Sequence, residues 1–124
     1  MTAETPSAPS DECLVYRLIK PEWIAPDGTR PKSQAFSDHP EDGALSVFLS
    51  DEMEAGGKTV SDLKQLMPGY SVCGATVAEF RTLGQVIVRD PIDVFPGHAA
   101  VRDVTGKRSG GARSKLAKTV RWYD

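Results

Sequence analysis

Cysteine and histidine are scarce in this sequence, and they are far apart. The 124 residues include two cysteines, Cys13 and Cys73, and two histidines, His39 and His98. None of them forms a C-x-x-C or H-x-x-x-H pair, although structural zinc sites almost always use at least one close pair. We therefore expect no metal and no cofactor. We also expect both cysteines to be buried, reduced thiols rather than a disulfide.

The sequence also lacks the features of export and of membrane insertion. Residues 1–12 carry no Lys or Arg, and the apolar run that follows, residues 13–19, has the length of one strand. A signal peptide needs a basic start and a longer apolar stretch, and a membrane span needs about 20 apolar residues. We therefore expect a cytoplasmic protein with no membrane partner.

Negative charge is nearly missing from the C-terminal part of a chain whose net charge is −2. Residues 105–124 contain one acidic residue, Asp124, and six cations: Lys107, Arg108, Arg113, Lys115, Lys118 and Arg121. This asymmetry predicts a partner for the basic tail, which is a nucleic-acid backbone or phosphate, or else the protein's own acidic surface. A solvated linker before a last helix would explain the same residues without a partner.

The remaining pattern predicts one small α+β domain, with a mixed sheet of about five strands and two or three short helices on one side of it. Residues 1–12 are expected to be disordered, residues 13–104 to form the domain, and residues 105–124 to be a basic tail. Strands are expected over residues 14–19, 44–50, 70–75, 85–89 and 98–104, with a short extended piece over residues 33–36. Thr59 and Thr76 have helix-starting patterns, and a terminal helix over residues 112–122 is expected to pack on the domain.

Arg17 is the most unusual residue of the first strand. With a period of two, it lies between Val15 and Ile19 on an otherwise apolar face. A guanidinium there needs an anionic partner or a ligand, because burying a lone charge is unfavourable. A salt bridge at the sheet edge, or a side chain that reaches solvent, would satisfy it equally well.

His98 is the best-placed candidate for a catalytic base. It begins a strand after a proline-bounded loop, which could direct the imidazole into a cleft. It could equally bond to backbone at the sheet edge. No G-x-S-x-G motif supplies a serine nucleophile, and neither cysteine has a basic neighbour that would activate it.

Most of residues 14–104 resemble a group of short uncharacterised prokaryotic proteins. The resemblance implies no activity, and five segments carry it: residues 14–19 (LVYRLI), 21–24 (PEWI), 33–36 (SQAF), 45–47 (LSV) and 96–99 (PGHA).

A fainter resemblance is to the RES-type toxins, which are ADP-ribosyltransferase-like. It is carried by residues 15–17 (VYR) and by a hydroxyl residue on the second strand, at Ser46 or Ser50. It implies that Arg17 contacts NAD. Such enzymes also need a glutamate, for which Glu79 on a short helix is the nearest candidate.

These observations favour a non-enzymatic protein-interaction module with an accessory or regulatory role, because no catalytic constellation is complete. The alternative is a small NAD- or nucleotide-binding enzyme that uses Arg17, Tyr16, Ser46 and His98. That alternative predicts that the four side chains converge on one pocket. Nucleic-acid binding by the tail is the third hypothesis.

Overall fold

The computed structural model describes residues 9–37 and 43–123. His39 and residues 1–8 of the predicted disordered segment lie outside the described residues. Residues 9–12, in contrast, form a turn held against a helix, where Arg81 pairs with Asp11 and donates a hydrogen bond to the Pro9 carbonyl. The segment predicted to be disordered, residues 1–12, therefore includes four residues that hold defined contacts in the structure.

Six strands form one antiparallel sheet, in the order β4-β5-β2-β1-β3-β6. The strands are β1 (Leu14–Ile19), β2 (Leu45–Leu49), β3 (Ser71–Thr76), β4 (Gln85–Arg89), β5 (His98–Asp103) and β6 (Arg121–Trp122). The α+β class is confirmed, but the sheet is antiparallel rather than mixed and has one more strand than predicted. Strands β4 and β5, for example, are joined by eight residues, and a crossover to a parallel neighbour needs a dozen or more.

Four α-helices accompany the sheet: α1 (Ser50–Ala55), α2 (Val60–Leu66), α3 (Val77–Thr82) and α4 (Gly110–Thr119). The sequence predicted α2, α3 and a terminal helix but missed α1. This helix was missed because it starts directly at the end of β2, so no loop separates the two periodicities. Both predicted capping patterns are present, with Thr59 bonded to Asp62 and Thr76 bonded to Glu79.

The helices cover both faces of the sheet, so the expectation that they lie on one side is wrong. One face packs residues of α3 and α4, including Phe80 and Leu116, against Val15 and Ile19. The other face packs α1 and α2 against Tyr16 and its neighbours. Cys13 and Cys73 are both buried and form no disulfide, as expected.

Two further segments differ from the prediction. Residues Ser33–Phe36 form a 3-10 helix rather than an extended piece, and they bury Ala35 and Phe36. The terminal helix ends at Thr119, and Arg121–Trp122 then pairs with β3 as an edge strand. Local sequence gave no signal for that pairing. No helix within the described residues is long and apolar enough to span a membrane.

Candidate functional site

Strand β1 separates from β2 halfway along its length. Its register with β3 runs over six positions, from Leu14 to Ile19. Its register with β2 covers only Val15↔Leu49 and Tyr16↔Phe48. Beyond that point the two strands part, and we call the gap between them the seam.

Arg17 lies at the point where the seam opens. Its Nη1 donates a hydrogen bond of 2.8 Å to the carbonyl of Ser46 on β2. Its Nε donates another of 2.8 Å to the carbonyl of Ala35 in the buried 3-10 helix. The guanidinium also lies 5.7 Å from the ring centroid of Trp23. The side chain therefore replaces the missing strand pairing and ties β1, β2 and the connecting segment together.

The charge of Arg17 is not neutralised within the described part of the chain. Its two hydrogen bonds go to backbone carbonyls, and no described carboxylate forms the expected salt bridge with it. Burial, together with a smaller effect of the cation Arg108, lowers the pKa of Arg17 to about 10. The group still stays protonated at neutral pH, so the seam carries a positive charge that no carboxylate of the described residues neutralises.

A cavity of about 560 Å³ opens at the seam, and it brings together three of the four predicted residues: Arg17, Ser46 and His98. Most of its wall is apolar or aromatic, and Gln34, Ser37 and Asp90 add polar groups. Sequence reasoning missed four wall residues that come from distant parts of the chain: Trp23, Phe48, Met67 and Tyr70. This volume and this mixture are typical of pockets that bind small molecules.

His98 enters the cavity with a fixed orientation. Its Nδ1 lies 2.7 Å from the Asp90 carbonyl and 3.5 Å from an Asp90 carboxylate oxygen. The carbonyl can only accept, so Nδ1 carries the proton, and Nε2, which bonds to no described group, is an acceptor whenever the ring is neutral. Its ring packs edge-on against Phe48, with 5.4 Å between centroids. His98 therefore bonds to backbone and also lines the cavity, which the sequence had offered as alternatives.

The hydroxyl residues show no sign of being activated. Ser46 pairs with Ala100 on β5, while His98 pairs with Phe48, so Ser46 and His98 are diagonal neighbours on one sheet face. No hydrogen bond joins their side chains within the described structure. Ser50 accepts a hydrogen bond from the Leu14 amide at 3.0 Å and does not line the cavity.

Tyr16 and Glu79 both lie away from the cavity wall. Tyr16 packs on the α1 and α2 side of the sheet, where burial raises the pKa of its phenol. Glu79 completes the cap of α3 and pairs with Arg121, and hydrogen bonding from Thr76 lowers the pKa of its carboxyl. The residues that the RES-type resemblance needs are therefore only partly brought together.

The cations of the tail do not form one surface. Arg108 is 1% exposed, and it donates hydrogen bonds to Gln85 and to the Val101 carbonyl. A nucleic-acid backbone cannot reach it, so the prediction is wrong for this residue. Arg113 donates to the Arg108 carbonyl, and Arg121 is paired with Glu79. The exposed lysines of the tail are Lys107, Lys115 and Lys118.

The seam cavity does not resemble a metal site. Among residues 9–37 and 43–123, no three His, Cys, Asp or Glu side chains come together as metal ligands. Comparisons of the whole chain with protein-family models, with curated proteins and with solved structures found no match.

Proposed function

We propose that this protein binds a small anionic ligand with an aromatic ring, a nucleotide being the simplest example, in the seam cavity. The observation that carries the proposal is the state of Arg17. Its guanidinium borders the cavity, is held in place by two carbonyls and has no carboxylate partner in the described residues. An anion would neutralise a charge that no described carboxylate compensates.

The other wall residues complement such a ligand. Trp23, Phe48 and Tyr70 offer aromatic surface to a planar ring. The free Nε2 of His98 accepts a hydrogen bond, which an exocyclic amine or a hydroxyl group would donate. The nearby charge of Arg108, buried and fixed, adds to the positive potential around Arg17.

The geometry favours binding over catalysis. His98 contacts no nucleophile within the described structure, and the glutamate and tyrosine expected from the toxin-like hypothesis lie elsewhere. A binding role agrees with the non-enzymatic module that the sequence favours. It shares with the enzyme hypothesis the class of ligand and three of the four residues, Arg17, Ser46 and His98.

Isothermal titration with AMP, NAD, adenosine and inorganic phosphate tests the proposal. We expect the two nucleotides to bind, and adenosine and phosphate to bind at least about tenfold more weakly, because each lacks the charge or the ring. A ligand at 100 times its Kd should also stabilise the fold by about 2.7 kcal/mol. Equal binding of adenosine and AMP would contradict a role for Arg17.

Two variants and a matched control localise the binding. Arg17→Lys keeps the charge but loses the planar fork, and Ala100→Phe fills part of the cavity while Arg17 itself is retained. We expect both to weaken AMP binding about tenfold or more. Arg102→Lys makes the same change on the exposed part of β5, outside the cavity wall, and should bind AMP normally. Circular dichroism confirms that each variant is folded.

A second candidate function, protein interaction, is favoured by the β4–β5 hairpin. Of the six exposed large hydrophobic side chains in the described part of the chain, five lie there: Val86, Val88, Ile92, Val94 and Val104. Strand β4 is also an edge of the sheet, and edge strands accept a strand from a partner.

Co-purification of the native protein at low salt tests this second candidate. We expect a partner that is lost on Val86→Lys/Val88→Lys, since both side chains stand on the open face beside the free edge. A strictly monomeric protein that retains no partner would contradict it.

A further inference from the structure

A second cavity, of about 310 Å³, lies between the segment of residues 25–33 and α4. Three cations line it: Arg30 and Lys32 from that segment, and Lys118 from α4. Two hydroxyl residues, Ser33 and Ser114, stand in the same wall. We call this site the basic cleft. It shares no lining residue with the seam cavity.

The three cations of the basic cleft are exposed, and none of their side chains is engaged in an ion pair or hydrogen bond within the described structure. Arg89 and Arg121, by comparison, are both paired with carboxylates. Like charges around one small cavity repel each other, and an anion placed among them removes that repulsion. The exposed Asp27 accepts two hydrogen bonds from Thr29 and also interacts electrostatically with Arg30.

The cleft is supported from beneath by well-packed structure. Ala35 and Phe36, which follow Ser33, are buried, and so are Leu116 and Ala117 of α4. The 3-10 helix and α4 contact each other closely, so the two walls are held at a fixed separation. Only the cationic ends and the hydroxyl groups remain to adapt to a ligand.

We propose that the basic cleft binds the polyphosphate group of a small molecule. Three cations match the charge of a di- or triphosphate, and the two serines supply the hydroxyl donors that phosphate oxygens accept. A nucleic-acid backbone fits less well, because it calls for an extended basic surface and usually a basic domain. Here the cations surround a compact cavity on a chain with a net charge of −2.

The proposed phosphate site differs from the one that the sequence predicted for the basic tail. Of the six tail cations, only Lys118 lines the cleft, and its companions Arg30 and Lys32 come from a segment about 85 residues earlier, which sequence spacing alone does not connect. The proposal is independent of the seam cavity, since neither Arg17 nor His98 takes part in it.

Tripolyphosphate is the probe for the test, because it has charge but no ring for the seam cavity. Titration is followed by amide NMR at low ionic strength, about 20 mM, since exposed charges are strongly screened in higher salt. We expect shifts centred on Ser33, Ser114 and Lys118. Lys32→Gln/Lys118→Gln should weaken binding about tenfold or more, through the loss of two charge-assisted contacts.

The matched control is Lys107→Gln/Lys115→Gln, which removes the same charge from exposed tail lysines outside the cleft. It should bind tripolyphosphate within about threefold of the parent protein, the remaining change being long-range electrostatics. Equal weakening in both double variants would overturn the proposal, as would tighter binding of a single-stranded oligonucleotide. Arg17→Lys should leave tripolyphosphate binding unchanged, so failure of one site is distinguishable from failure of the other.

Discussion

Strand β1 is bonded very differently to its two neighbours. On the β3 side its ladder covers every residue of the strand, whereas on the β2 side it stops after Tyr16. The first half of the β1–β2 boundary is closed by backbone pairing. In the second half a side chain, Arg17, takes over the pairing, and a cavity opens beside it.

The two halves of the β1–β2 boundary differ in role: the paired half stabilises the fold, and the open half offers space for a ligand. At the closed end, Val15 and Leu49 are both 0% exposed and belong to the main core cluster. At the seam, polar and aromatic side chains face a space that a ligand can enter. A break in a ladder exposes backbone groups that need new partners, and an arginine can satisfy a carbonyl while its other donors stay available.

The largest effect is expected at the closed end. Leu49→Ala removes a fully buried side chain and should lower the free energy of unfolding by about 2–5 kcal/mol. Urea denaturation measures this change. The nucleotide affinity of the protein that remains folded should be unaltered, because Leu49 does not line the cavity. A loss of less than about 1 kcal/mol would show that the closed end is not the stabilising half.

A smaller loss of stability is expected at the seam. Arg17→Met keeps much of the apolar stem but removes the hydrogen bonds to Ala35 and Ser46. We expect the free energy of unfolding to fall by about 1.5 kcal/mol, because the lost charged hydrogen bonds are partly offset by relief of desolvation. The same variant should lose nucleotide binding. If it were more stable than the parent and still bound AMP, Arg17 would have neither role.

A pH-dependent change in stability is expected from Glu79, whose side chain completes the N-terminal cap of α3. Hydrogen bonding from Thr76 and pairing with Arg121 lower the pKa of its carboxyl in the folded state. This stabilisation is therefore present above the unfolded pKa of about 4.3, and is lost as the pH falls through the lower folded value.

The test compares the parent protein with Glu79→Gln between pH 6 and pH 3. Glu79 is partly exposed, so we expect the variant to be less stable by no more than about 1 kcal/mol at pH 6. The difference should shrink as the pH falls. A constant difference across the range would mean that the charge of Glu79 contributes nothing.

The smallest effect is local and leaves global stability unchanged. The Ser46 carbonyl accepts a hydrogen bond from Arg17 and therefore faces the seam. In a strand the amide of a residue points the same way as its carbonyl, so the Ser46 amide also faces the seam, where no residue of β1 is paired with it. The Phe48 amide faces the same neighbour at a paired position. We expect hydrogen exchange at Ser46 to be about a hundredfold faster than at Phe48. Equal protection would indicate that the seam is closed in solution.

Much of the architecture follows from local sequence. The period-2 pattern of residues 14–19 correctly placed Arg17 on an apolar face, and the capping pairs at Thr59 and Thr76 correctly began two helices. Arg17, Ser46 and His98 were all chosen from strand positions. Their meeting at one cavity depends only on which strands are neighbours, with β2 between β1 and β5.

The features that were not predicted depend on distant contacts. The end of the β1–β2 ladder is set by how the connecting segment packs, including the burial of Phe36, and no local pattern encodes that. The burial of Arg108 likewise follows from Gln85 and Val101, which accept its hydrogen bonds. One signal was available: Gln85 is a polar residue at the start of an apolar strand, and a buried amide needs a partner.

The most direct test of the account follows the guanidinium of Arg17 itself. With arginine labelled by nitrogen-15, NMR can observe the side-chain nitrogens of Arg17 and of the buried Arg108 while AMP is added. The account predicts that the Nη resonances of Arg17 shift with the binding curve, while those of Arg108, which does not line the cavity, stay nearly constant. Binding of AMP with no change at Arg17 would contradict it.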